Sequence, residues 1–416
     1  MKKIAVTGTK GKTTIIRLIN FILLELGNKT LSVDSDGVYI NGKQKLDKKD
    51  SINIYGLLPG KCPGRFLYLG YDYKNKYWKI DYAVLETIIG CYVTGLGYKK
   101  HDIGVFSNVF EDHIGGLCSA IKTREDLALR KYRIISKIKT GGYFVYNMDD
   151  QLIANNMDDH ISNEIKKIGV TKDLEKFQGK KTCIFISKKE VKIKISNKII
   201  KFDLSNNKFS FYGEYEPALY NIGLSIGGLL GLLGEEIFIS KHKQIKESID
   251  RYTTDILGGR MILLEQNGRK IILDYAHEKQ SLSAVLKLAN TLKTGKSIGV
   301  VRLSPEREDK IYHNIGKSIA SLADEFIVYD KIDGIEDKSY TINTKEIKNK
   351  KRNPGEIMHL FAEGIKTKNK KVQEIIYRKD AIKYGLKNTK KGDVIVIIVK
   401  NSKETGVFIK KYLKIK

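Results

Sequence analysis

Apolar positions along this chain follow two rhythms. Ile4-Ala5-Val6 closes a short strand-type run over residues 2–7, and residues 13–26 place apolar side chains at helical spacing. Strands are predicted at 30–34 and 38–40 around a turn, at 81–85 ending in Glu86, at 103–107 ending in Asn108, and at 142–146. A helix is expected over 123–137, where Thr123-Arg124-Glu125-Asp126 supplies a cap and an acidic first turn. Strands that alternate with helices imply a mostly parallel, doubly wound α/β sheet. Residues 180–212 differ: alternating runs such as Val191-Lys192-Ile193-Lys194-Ile195 suggest a small antiparallel β region. Residues 218–233 are apolar and rich in small residues, a helix packed on both sides.

Gly258-Gly259 supports a boundary near 254–259. Beyond it strands are expected at 261–264, 270–274, 297–301, 325–328 and 394–399, with helices near 280–292, 308–322 and 354–364. The expected division is therefore residues 1–256 and a smaller Rossmann-like α/β domain at 257–416. The charge run at 345–351 reads as a solvated loop, and no internal repeat stands out.

Composition narrows the class. Hydrophobic residues make up 41% and charged residues 30%, the balance of a soluble globular protein. The net charge of +27 has two readings: an anionic partner, or a lysine-rich composition with no single target. The lysines are scattered, and no arginine-rich stripe interleaved with aromatics supports nucleic acid. The four cysteines have no C-x-x-C spacing, which suits free thiols in a reducing cytoplasm. The start Met1-Lys2-Lys3 is followed too soon by a glycine turn to be a secretory signal, and the apolar run at 222–233 is too short to span a bilayer. The expected location is cytoplasmic, without a membrane partner.

The densest chemistry lies at the first strand end. Gly8-Thr9-Lys10-Gly11-Lys12-Thr13-Thr14 is a glycine turn between strand and helix, the unit that cradles nucleotide phosphates. Gly8 and Gly11 let backbone N–H groups approach phosphate oxygens, Lys12 supplies a point charge, and the Thr13 hydroxyl can reach Mg²⁺. The strict phosphate-loop pattern wants a glycine where Val6 stands. In an open parallel sheet, ligands gather at the carboxyl ends of strands. Glu86 and the segment Asn108 to His113 end two further strands, so Thr13, Glu86 and His113 are expected to share one crevice suited to Mg²⁺. Taken singly, Glu86 also reads as a helix cap and His113 as a surface histidine.

These segments, with Asn147-Met148-Asp149-Asp150, Gly259-Arg260 and Asp274-Tyr275-Ala276-His277, stand in the order that resembles Mur ligases. Asp36-Gly37-Val38-Tyr39-Ile40, Leu85-Glu86-Thr87, Gly95-Leu96-Gly97-Tyr98 and Asn353-Pro354-Gly355-Glu356-Ile357 are most similar to the Mur-like half of cyanophycin synthetases. The resemblance implies an ATP-dependent carboxylate–amine ligase working through an acyl phosphate. It implies that Thr13 and Glu86 bind one Mg²⁺ and His113 a second, with Lys131 as a carbamylated lysine at that metal. It carries Asn221 over as an adenine neighbour, although Tyr220 replaces the preceding histidine. Arg260, Asp274, Tyr275, His277 and Arg307 are implied around the nucleotide, with Asp274 and His277 also counted as catalytic alongside Lys12, Lys131 and His113. Glu278 departs from the usual Asn or Thr, and the run from Arg302 to Asp309 keeps only Arg307 and Asp309 of the expected pattern.

The chain begins at the phosphate loop, so neither a UDP-sugar domain nor an ATP-grasp half is expected. The implied partners are ATP, an amino acid such as arginine, and a carboxylate acceptor of acidic peptide or polymer type, with a homo-oligomer or partner subunit left open. Rival readings are a poly-γ-glutamate or folylpolyglutamate-type ligase and a catalytically silent nucleotide-binding subunit.

Overall fold

The strand Lys2–Thr7 sits inside an eleven-stranded sheet, between Tyr82–Glu86 and His101–Phe106. A computed structural model describes residues 1–110, 121–253, 261–303, 309–330, 340–342, 350–400 and 402–415. Across the sheet the order is Lys198–Asp203, Glu190–Ile195, Thr182–Ile186, Lys166–Thr171, Ile138–Asn147, His101–Phe106, Lys2–Thr7, Tyr82–Glu86, Thr30–Asp34, Gly37–Ile40 and Lys43–Asp47. The strands from Thr182–Ile186 to Thr30–Asp34 are all parallel. Antiparallel hairpins finish both edges. The small antiparallel β region expected at 180–212 is found over Thr182–Asp203, and it continues the main sheet. Its first strand pairs in parallel with Lys166–Thr171, a pairing that alternation within 180–212 could not reveal.

Parallel strands deliver their carboxyl ends to one edge. Thr7, Asp34, Glu86 and Phe106 end neighbouring strands there, and the chain leaves Lys2–Thr7 where its neighbours' connections diverge. Helix Lys12–Glu25 buries Ile15, Ile16, Leu18, Ile19, Ile22 and Leu23. Helix Glu216–Leu233 lies flush on the sheet because its facing positions lack side chains: a Cβ at Gly223, Gly227 or Gly231 would meet Val170, Val145 or Ile103 within 3.0 Å. Helix Arg124–Ile135 starts with the expected capping box, in which Thr123 Oγ1 accepts from Asp126 N–H and the Asp126 carboxylate accepts from Thr123 N–H, both at 3.1 Å. Helix Glu235–Arg251 was not anticipated. Its buried Phe238, Ile245 and Ile249 are sparse among charged positions.

Met1–Phe110 and Thr123–Tyr252 form one compact unit, and the sheet that begins at Ile262 forms the core of a second. The expected division at 256/257 falls outside the described residues. In the second unit the order is Ile262–Gln266, Arg269–Asp274, Val394–Ile398, Ser297–Val301, Glu325–Val328 and Lys371–Glu374. All but the first are parallel, so Asp274, Val399, Arg302 and Tyr329 meet along one edge. Ile271, Leu273, Val300, Ile395 and Ile397 fill its core. Helices Arg378–Lys387 and Ser402–Leu413, and the strand Lys371–Glu374, were not foreseen. Lys350 and Lys351, the end of the charge run expected as a loop, belong to the short strand Lys350–Arg352, whereas 345–349 lies outside the described residues. No helix among the described residues is long and apolar enough to cross a membrane.

Candidate phosphate and metal site

Between Thr7 and Lys12 the chain turns from strand into helix in four residues. Gly8 (φ +143°) and Gly11 (φ +85°) adopt backbone conformations that side chains disfavour. The space is closed as well. A Cβ on Gly8 would lie 1.9 Å from Ser107 Oγ, and one on Gly11 would lie 2.4 Å from Asn221 Oδ1. The glycine the strict pattern asks for at Val6 is replaced in effect by Gly8, two residues on.

The next strand end clamps the turn. Thr9 N–H donates to Asn108 O at 2.9 Å, and Lys10 N–H to Asn108 Oδ1 at 2.8 Å. Lys10 O accepts from Asn108 Nδ2 at 3.1 Å and from Ser107 Oγ at 2.7 Å. Behind it, Val109 N–H donates to Asp150 Oδ2 at 2.7 Å and Val109 O accepts from Arg124. Gly11 caps the helix with no side-chain hydrogen bond, and no acidic residue stands in the first turn. The helix therefore brings no acidic side chain of its own to its positive end, a condition that favours an anion there. Thr14 follows half-buried on the first turn.

Two lysines converge on the turn. Lys12 Nζ lies 3.0 Å from both Gly8 O and Thr9 O, and Lys131 Nζ lies 2.8 Å from Gly8 O. Lys131 is buried on helix Arg124–Ile135, so it is not the surface lysine that composition alone would suggest.

Thr13 Oγ1 donates to Glu86 Oε2 at 3.1 Å, and both residues are buried. Glu86 is no helix cap. It also accepts from Ser35 N–H at 2.8 Å and, through Oε1, from Ser35 Oγ at 2.9 Å. One helical turn after Thr13, Arg17 holds the same corner. Its Nε lies 2.7 Å from Asp34 Oδ2 and its Nη2 lies 2.5 Å from Asp36 Oδ2. Burial works against the Arg17 charge, yet Asp34 and Asp36 raise its pKa above the ordinary value. Arg17, Asp34, Ser35 and Ser107 were missed from sequence. The available signal was an arginine inside the apolar helix face and Asp34-Ser35-Asp36-Gly37 at a strand end.

Around Asn221, helix Glu216–Leu233 presents Tyr220, whose hydroxyl donates to Asp149 Oδ2 at 2.8 Å. Burial pushes the Asp149 carboxyl up, but hydrogen bonds from Thr171, Lys172 N–H and Tyr220 hold it below its ordinary pKa.

In the second unit, Asp274 Oδ1 accepts from Ala276 N–H at 2.7 Å, and His277 Nδ1 lies 2.9 Å from Tyr275 O. Glu278 caps helix Lys279–Leu292 by accepting from Gln280 N–H at 2.6 Å and Ser281 N–H at 2.7 Å, a local reason for a carboxylate at this position. His113, Arg260 and Arg307 lie outside the described residues.

The donor set at the first-strand end fits a divalent cation beside a polyphosphate: a hydroxyl and a carboxylate 3.1 Å apart, next to a helix start and a lysine. A different grouping, exposed His359 and Glu363 with half-buried Glu374, is crossed by Lys366, 3.0 Å from Glu363 and 2.7 Å from Glu374. It reads as a surface ion-pair cluster.

Comparison with known proteins gives the same fold and family. Residues 6–227 match the Mur ligase middle domain, and residues 259–400 match the glutamate ligase domain of Mur ligases. The chain is 25% identical over 416 residues to cyanophycin synthetase of Geminocystis herdmanii, covering 98% of this chain and 43% of that protein. It thus spans less than half the length of that relative. It is also 25% identical to UDP-N-acetylmuramoyl-L-alanyl-D-glutamate–2,6-diaminopimelate ligase 2 of Clostridium acetobutylicum, covering 96% and 74% respectively. Among solved structures, the bifunctional folylpolyglutamate synthase/dihydrofolate synthase of Yersinia pestis, complexed with AMPPNP and Mn ion, superposes with a TM-score of 0.66 at 15% identity. That match covers 100% of this chain and 89% of that one.

Proposed function

This chain belongs to the Mur ligase family, and from that membership we propose that it joins a carboxylate to an amine while cleaving ATP to ADP and phosphate. The observation that carries the proposal is the buried Thr13–Glu86 contact beside Lys12 at the start of an uncapped helix. Lys12, the turn N–H groups and the helix end hold the triphosphate. Thr13 and Glu86 hold Mg²⁺, which when bound neutralises charge on the transferring phosphoryl group. The acceptor carboxylate oxygen attacks the γ-phosphorus and ADP leaves. The amine then attacks the acyl carbon and phosphate leaves, the amine's proton passing to a base. Placing two anions in line is the physical task, and a preorganised cationic turn fulfils it.

The acceptor we favour is an acidic peptide or polymer and the nucleophile an amino acid such as arginine, as in a cyanophycin-like reaction. A net charge of +27 supports attraction of a polyanion. Lys131, buried against the turn, is our candidate for carbamylation at a second metal, together with His113.

A phosphate-release screen of carboxylate acceptors against the twenty amino acids tests this. Turnover that needs ATP, acceptor and amine together, and that is lost in Lys12→Ala, is the expected result. Nucleotide binding with no turnover for any pair would favour a silent subunit instead. Turnover with folate or γ-glutamyl acceptors alone would move the chain to that branch.

A further inference from the structure

Arg302 follows the strand Ser297–Val301 directly and is 1% exposed. Among the described residues neither terminal guanidinium nitrogen, Nη1 or Nη2, has a hydrogen-bond partner. Its Cζ sits 5.9 Å from the centre of the Tyr275 ring, whose own centre lies 4.7 Å from that of His277. Both Tyr275 and Arg302 follow parallel strands of the second unit, with Val394–Ile398 between them. A chain does not readily keep a buried cation with two unmet donors, since an unpaired buried charge costs several kcal/mol. Stacking on one tyrosine returns only part of that cost.

We propose that Arg302 is the floor of an anion subsite for a carboxylate of the amino-acid substrate. The chemistry selects the ligand. Two adjacent N–H donors on a planar fork match the two oxygens of a carboxylate. One carboxylate also leaves the buried pair neutral, whereas a phosphate dianion would leave net charge in the interior. The Tyr275 ring forms an apolar wall that lowers the local dielectric and strengthens the pair. Nη1 and Nη2 are out of contact with solvent, so an anion that reaches them must displace neighbouring side chains. Arg302 belongs to the second unit and the Lys12 turn to the first. The assignment of the carboxylate to an amino acid rests on the ligase reading above, but the carboxylate preference of Arg302 does not.

The test has two arms on the full chain. In the first, ¹⁵N-arginine-labelled protein is titrated with sodium acetate and separately with inorganic phosphate, and the Arg302 side-chain signal is identified by its absence in Arg302→Lys. A saturable shift with acetate and none with phosphate is expected. No response to acetate, or a response to phosphate alone, overturns the proposal. In the second, Arg302→Met and Arg302→Lys are compared with the parent. Arg302→Met should melt no lower than the parent, because it removes an unpaired buried charge. A marked drop in melting temperature would show an internal partner and overturn the proposal.

In a turnover assay Arg302→Lys should raise KM for the amino acid about tenfold or more and leave KM for ATP within about twofold. Equal change in both constants would mean a structural role and count against the subsite. If no amino acid supports turnover, the ligase reading fails while the acetate arm still decides the subsite.

Discussion

Gly8→Ala probes the strand-to-helix turn most directly. At φ +143° an alanine is strained by about 1–3 kcal/mol. The new Cβ would lie 1.9 Å from Ser107 Oγ and 3.1 Å from Asn108 N. Ser107 must then swing away and lose its 2.7 Å hydrogen bond to Lys10 O, worth about 1 kcal/mol. The Asn108 backbone cannot retreat easily, since its carbonyl holds Thr9 N–H. Strain and lost hydrogen bond together give about 2–4 kcal/mol for the first unit. Ser107→Gly removes the obstacle at the cost of the same hydrogen bond. The double variant should therefore be more stable than the sum of single effects predicts, by about 1 kcal/mol or more. The protein has one tryptophan, Trp78, and it lies in the first unit. Its fluorescence during denaturant unfolding reports that unit. A Gly8→Ala loss under about 1 kcal/mol, or additivity within about 0.5 kcal/mol in the double variant, would refute the argument.

Removing Arg17 as Arg17→Met strands the buried Asp34 carboxylate beside Asp36, and a loss of about 3–5 kcal/mol is expected by chemical denaturation. A loss under about 1 kcal/mol would show that the pair is not what holds the corner. Ser35→Ala deletes the 2.9 Å bond to Glu86 and should raise the Mg²⁺ concentration that half-saturates phosphate release about tenfold, with an unchanged requirement counting against the Glu86 metal role. Burial drives the His101 imidazole down to about 3, so it stays neutral in the fold while the unfolded chain binds a proton near its ordinary 6.5, despite the opposing pull of Asp102. That contribution is complete above about pH 6.5 and is lost as pH falls toward 3, by at most about 1.4 kcal/mol per unit. His101→Gln should flatten stability between pH 7 and 5, and an identical slope would exclude this histidine. Carbamylation of Lys131 predicts a carbonyl signal after ¹³C-bicarbonate labelling that disappears in Lys131→Arg.

Local chemistry explains what was legible from the chain alone. The glycine turn, helix Lys12–Glu25, the Thr123 capping box and most strands announced themselves, because glycine placement, capping residues and apolar period act over a few residues. A helix such as Glu235–Arg251, with sparse apolar positions, and strand Lys371–Glu374, half exposed, carry too little periodicity to stand out.

Tertiary structure alone decided three things. It joined the 182–203 strands to the main sheet, since pairing partners far apart in sequence leave no local mark. It brought Asp34 to Arg17, Ser35 to Glu86 and Ser107 to the turn, because parallel strands deliver distant residues to one edge. It also left Arg302 enclosed with both terminal nitrogens unbonded among the described residues, which sequence cannot express, since a lysine-rich chain gives no sign of which cation loses its water.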